Sequence, residues 1–216
     1  MVKYRFKFTK EGDAKYVSQL DLVRLFTRVF KRAEIALTYS QGFNPHPKMS
    51  IGLPLGIGVT SECEFLDAEL EEKNDPMEIL KKLNASAPIG IRFTAMQEIC
   101  EFSPKVKDAE SAIYTVKTEG VLPTQSEIDE FLKSGEINVL KKTKSGEKMT
   151  DISPDIFEIE KMGENELFMR LRCAPNINLK PETVVLAMNE FIENADITDF
   201  DVHRTRILDR LGRDFS

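Results

Sequence analysis

The hydrophobic period switches between two and 3.6 residues in the same order in each half of this chain, and few folds accept that order. Val2 to Thr9 alternates, so Tyr4, Phe6 and Phe8 share one face of a strand. Leu22, Val23, Phe26, Val29, Phe30 and Ala33 then recur at helical spacing. Ser18 with Asp21 three residues on resembles a capping box at the start of that helix. Ala36 to Ser40 reads as a second strand, and Glu62 to Glu71 as a third, with Cys63, Phe65, Ala68 and Leu70 as its main apolar residues. Asp75-Pro76 opens a second helix, since proline suits the first turn, and it ends near Ser86. Ile89 to Ile99 completes a β-α-β-β-α-β order, the split βαβ arrangement.

The polar stretch 101–110, with Ser103-Pro104, reads as a linker, and the order then recurs. Ala112 to Thr118 is a strand, and Thr124 to Ser134 a helix with Thr124 and Glu127 as its capping box. Strands are expected at Ile137 to Lys142 and within Ile156 to Cys173, the latter interrupted at Gly163. Lys180 to Asn194 is a helix with Pro181 at its start, and Thr198 to Leu208 is the last strand. The expected fold is therefore α+β: two tandem ferredoxin-like (βαββαβ) domains over 1–100 and 111–216. A length of 216 residues suits two such domains.

Composition narrows the setting. Three widely spaced cysteines, Cys63, Cys100 and Cys173, argue against a disulfide framework and for a reducing compartment. They sit in strand patterns and read as buried thiols. Met1 leads directly into an alternating strand rather than a signal peptide, and no run approaches the roughly 20 apolar residues of a membrane span. The expectation is a cytoplasmic protein with no membrane contact. The net charge of −6 is uneven. Up to Leu55 there are ten Lys and Arg against four acids, about +6, leaving about −12 for the remainder. A polyanion could therefore meet the first segment despite the acidic total. Arg204, Arg206, Arg210 and Arg213 form a second basic stretch, read as a solvated tail.

Residues 41–61 hold four glycines and three prolines, with a short strand expected at Met49 to Leu53, and long loops of that kind in compact domains are usually functional. Gly52, Gly56 and Gly58 lack the Gly-Lys-Ser/Thr ending of a phosphate loop and open no helix, so they read as sites for tight turns. Gln41, Phe43, Asn44, His46 and Lys48 are more informative. Phe43 can stack on a base or fill a partner's pocket, Gln41 and Asn44 can meet base edges, and Lys48 a phosphate. Arg24, Arg28, Lys31 and Arg32 form a basic stripe on the preceding helix. Together these are the candidate binding residues.

The stretch from Tyr16 to Leu70 resembles the radical-SAM-linked protein family. Its most specific part is Tyr39-Ser40-Gln41-Gly42-Phe43-Asn44-Pro45-His46-Pro47-Lys48, followed by Leu53-Pro54-Leu55-Gly56. Where the family usually has His before the Leu-Asp that opens the first helix, this chain has Gln19. The resemblance implies a partner: a radical SAM iron–sulfur enzyme, encoded beside such proteins or fused to them. An RNA or ribosomal component as substrate is suggested by the family, which has no assigned biochemical function. The chain is not that enzyme, which needs three closely spaced cysteines for its cluster. Its two histidines, His46 and His203, lie far from any Cys, so no metal site or other cofactor is expected. The expected function is thus a non-catalytic accessory protein that binds through the 41–61 loop and the basic face of helix 18–33. The alternative is a metal-independent RNA-binding or RNA-cleaving protein, related by fold to CRISPR repeat-processing endoribonucleases. There His46 would act as general acid or base, Lys48 would stabilise the phosphorane and Tyr39 would assist.

Overall fold

The computed structural model describes residues 1–73, 75–101, 103–105, 108–143 and 146–214. They form a mixed α+β structure of antiparallel strands and four α-helices, divided into two compact units at 1–106 and 107–215. Of the 101–110 segment, residues 102, 106 and 107 lie outside the described residues.

The first unit contains β1 (Val2–Lys10), α1 (Gln19–Arg32), β2 (Met49–Ile51), β3 (Thr60–Leu70), α2 (Pro76–Ser86) and β4 (Ile91–Glu98). All pairings are antiparallel, in the spatial order β4-β1-β3-β2. The alternation in β1 sends Tyr4, Phe6 and Phe8 into the core, where α1 contributes Leu22, Phe26, Val29 and Phe30 and β4 contributes Phe93. Phe8 and Phe26 meet edge to face with centroids 4.9 Å apart, and Phe26 lies 5.5 Å from Phe93. Ser18 caps α1 by accepting the Asp21 amide hydrogen bond, and Asp75 caps α2 in the same way from Met77. A 3-10 turn at Gly12–Tyr16, which the periodicity did not announce, leads into α1. Gly90 packs under it with φ of +88°, and a Cβ there would run into the Glu11 carbonyl oxygen, so only glycine fits.

The second unit contains β5 (Ala109–Thr118), α3 (Gln125–Lys133), β6 (Asn138–Thr143), β7 (Gly146–Asp151), β8 (Ile156–Lys161), β9 (Glu166–Ala174), β10 (Ile177–Asn178), α4 (Pro181–Phe191) and β11 (Phe200–Asp209). Its main sheet runs β11-β5-β9-β8, again antiparallel, with the short β10 also on β9.

Several expectations need correction. The stretch 137–142 does form a strand, but among the described residues β6 pairs only with β7, in a separate hairpin, and the sheet takes β8 instead. A period of two identifies a strand without naming its neighbour, so both segments looked equivalent. The second strand expected at 36–40 is represented by an isolated bridge, Leu37 to Leu70, and the named strand is β2. β5 begins at Ala109, inside the segment read as a linker. Cys63 and Cys173 are buried, but Cys100 is exposed, because it lies beyond the end of β4. Arg204 belongs to no solvated tail: β11 carries it fully inside, with a guanidinium nitrogen 3.6 Å from the Cys173 sulfur. No helix among the described residues is long and apolar enough to cross a membrane.

Candidate functional site

The Gly/Pro-rich loop is an excursion from the edge of the first sheet. Residues 36–38 run along β3, with the Thr38 amide donating to the Glu69 carbonyl and Glu71 to Ala36. The chain then leaves the sheet at Tyr39 and returns at Lys48, whose carbonyl accepts from Glu69 before β2 pairs with Leu66–Ala68. The neck is closed by several contacts. The Ser40 amide donates to the His46 carbonyl, the Lys48 amide donates to Thr38, and Tyr39 bridges Pro47. The His46 amide donates to the Ser40 hydroxyl. Beyond this neck, Gln41 to His46 are all exposed. Gly42 has φ of +123°, a conformation that glycine adopts freely and that turns the tip. Pro45 and Pro47 restrict the returning limb. Phe43 projects from this braced tip with 111% relative exposure, so its ring touches almost nothing of its own chain. An apolar ring held in water by a fixed loop is the uncommon feature here, because burying a Phe is worth about 1.5–3 kcal/mol.

Lys48 is not a free cation: its ammonium lies 3.1 Å from a Glu69 carboxylate oxygen. His46 contributes its backbone to the neck, and among the described residues no hydrogen bond links its imidazole to Lys48 or Tyr39. Tyr39 is partly exposed. The structure thus places these three residues on one loop without the mutual orientation by hydrogen bonds that a general acid–base pair uses.

The arginines of α1 gather elsewhere. Arg24, Arg28 and Arg32 line a groove of about 400 Å³ with Asp21, Leu25, Val17 and Pro88. Arg32 donates to the Ser86 carbonyl at 2.6 Å, which holds its side chain across to the end of α2. Arg24 bonds Asp21, while Arg28 has no hydrogen bond or ion pair among the described residues. The Ser18 hydroxyl, followed by Arg24, holds the Asp21 carboxyl below its ordinary range. Lys31 is exposed but does not line this groove, and neither does any residue of the 41–48 loop. The loop and the arginine groove are therefore two surfaces, not one concavity. The loop leaves the β2 edge of the sheet, whereas the arginines face the helix that packs on β4, the opposite edge.

The charge count also changes meaning. Arg5 and Lys10, two of the ten bases before Leu55, are buried. Arg5 clasps Asp67 with two hydrogen bonds, at 2.7 and 2.9 Å, and donates a third to the Pro104 carbonyl. The Lys10 ammonium donates to the Lys15 and Val17 carbonyls. Sequence reasoning missed Val17 and Pro88 as walls of the groove and Glu69 as the partner of Lys48. Nothing local marks these residues, because the fold alone brings them near. Among the described residues, no group of His, Cys, Asp and Glu is arranged to hold a metal ion.

A model for a family described as an uncharacterized protein conserved in bacteria matches residues 3–181. No curated protein matches the chain significantly. Among solved structures, a chain from a Cbf5-Nop10-Gar1 complex is similar at 11% identity and a TM-score of 0.48, over 94% of this chain and 48% of that one. An archaeal box H/ACA sRNP Nop10-Cbf5 complex gives 11% and 0.46, over 94% and 47%. The chain thus spans about half the length of these two chains. An unknown protein from Galdieria sulphuraria gives 12% identity and a TM-score of 0.28, over 94% of this chain and 98% of that one.

Proposed function

The chain belongs to this uncharacterized family of conserved bacterial proteins, DUF2344, and on that premise we propose that it is a non-catalytic binding protein that docks a partner through the Phe43 loop. The partner we propose is the radical SAM iron–sulfur enzyme implied by the resemblance of residues 16–70 to the radical-SAM-linked proteins, in the cytoplasm. The observation that carries the docking surface is the exposed Phe43 ring on a loop closed at its neck by backbone hydrogen bonds. A preorganised aromatic anchor loses little conformational entropy when it enters a pocket, which is why aromatic residues dominate binding hot spots. We also read each unit as ferredoxin-like. The orders β4-β1-β3-β2 and β11-β5-β9-β8, with a helix after the first strand and before the last, support that reading.

The test is co-purification of the chain with the neighbouring radical SAM enzyme, followed by titration of Phe43→Ala. Loss of the ring should weaken binding at least about tenfold, or about 1.4 kcal/mol. It should leave the thermal midpoint unchanged, because Phe43 supports no core. No co-purification, or equal affinity of the variant, sinks the proposal.

A second reading rests on the arginine groove, where Arg28 is uncommitted and Leu25 and Pro88 supply apolar wall. It would take single-stranded RNA. With Arg24, Arg28 and Arg32 each neutralising a phosphate, log affinity should fall against log salt with a slope of about −2. A slope near zero in a filter-binding series removes RNA from the groove.

A further inference from the structure

The β6–β7 hairpin stands apart from the main sheet of its unit, and a two-stranded hairpin by itself is at best marginally stable. Its cross-strand pairs look unfinished. Leu140 faces Met149, and both side chains are more than half exposed (57% and 55%). Lys141 faces Lys148, and like charges directly opposite each other repel. Among the described residues β6 pairs only with β7, so its other edge has no strand beside it.

That edge forms one wall of a groove of about 490 Å³. Val139, Leu140 and Lys141 all line it. Three consecutive residues can line one groove only if the strand turns its backbone edge toward it, because successive side chains point to opposite faces. The other wall is a stripe of α4, with Leu186 and Ala187 at its centre and Lys180 at the start of the helix. Leu186 is 65% exposed and packs against nothing that would bury it. An open strand edge facing a helix stripe across such a gap is the geometry in which an extended peptide adds as a further strand.

We infer that this groove binds an extended peptide segment of a partner protein by strand addition to β6, and that the segment carries Asp or Glu next to two consecutive apolar residues. The chemistry follows from the wall. The peptide residue opposite Lys141 would meet that lysine, with Lys148 beyond it and Lys180 on the rim, so a carboxylate there relieves the repulsion. The residue opposite Leu140 would cover the exposed Leu140–Met149 pair. The residue opposite Val139 would lie on the same face as the carboxylate and fill the gap toward Leu186. Glu190, at the far end of the stripe, disfavours a second acid there. A nucleic acid would gain little from a wall that is half apolar and carries a carboxylate.

The test is selection of a random octapeptide display library on the purified chain. Enriched peptides should share an acidic residue beside two apolar ones, and their synthetic forms should bind at least tenfold more weakly to Leu186→Glu and to Lys141→Glu. N-methylating one alternate set of peptide amides should abolish binding, while methylating the other set should be tolerated, since only one set faces the strand edge. Far-UV circular dichroism of both variants guards against misfolding, and the two substitutions fail independently. The proposal is overturned if no sequence enriches, if binding survives both variants, or if both methylated peptides bind as well as the parent. Self-association of the chain that Leu186→Glu abolishes would also overturn it, by making a second copy the occupant.

Discussion

Arg5 and Asp67 sit opposite each other on β1 and β3, joined by two hydrogen bonds and exposed by only 3% and 9%. The strand alternation correctly put Arg5 on the face away from Phe6, but nothing local said that this face would be covered by Phe65 and the Pro104 carbonyl. A buried pair contributes little when intact yet leaves an uncompensated charge when cut, so Asp67→Ala should cost about 3–5 kcal/mol in urea unfolding. Lys48→Ala removes a partly exposed pair with Glu69 and should cost at most about 1 kcal/mol by the same measurement. Equal effects would mean that Arg5 finds another partner or that water reaches it. Phe43 was legible as a candidate because of its Gly/Pro neighbours, but its full exposure was not, since a phenylalanine in an apolar loop is as easily core.

Helix ends were the most legible elements, because a cap needs only residues three apart. Thr124 and Glu127 form the reciprocal box that their spacing implied, at the start of α3. The Thr124 backbone amide, then its hydroxyl and Asn194, bond the Glu127 carboxylate and lower its pKa. A depressed folded-state pKa contributes stability that is complete above the unfolded value, about 4.3 for Glu. That contribution is lost as pH falls from there through the lower folded-state value. The thermal midpoint of the chain should therefore decline more steeply below about pH 4.3 than that of Glu127→Gln; parallel declines would show that the box adds nothing. Strand partners were far less legible. β6 and β8 both alternate, and only β9 decides between them, by pairing with β8. Likewise the second strand of the first unit is broken by the loop excursion, because β3 accepts 36–38 and then 48–51 with nine residues looped out between.

At the scale of the molecule, each unit pairs its strands antiparallel and has an apolar core, and that of the first unit is aromatic. Phe6, Phe8, Phe26, Phe30 and Phe93 form one ring cluster, in which Phe93 contacts all four of the others. Phe93→Ala should cost about 3–5 kcal/mol, lowering the urea midpoint with little change in slope. A loss under about 1 kcal/mol would mean that the cluster collapses to fill the gap. Periodicity and capping residues by themselves determined the mixed α+β character, the four α-helices among the described residues, and the apolar faces that meet inside, because those signals act between residues a few positions apart. Only the tertiary structure decided which strands become neighbours, which of the ten early bases stay in water, and that no residue of the Phe43 loop lines the arginine groove. Those outcomes depend on residues tens of positions apart in the chain, such as Arg5 with Asp67 or Arg32 with Ser86, whose proximity no local pattern encodes.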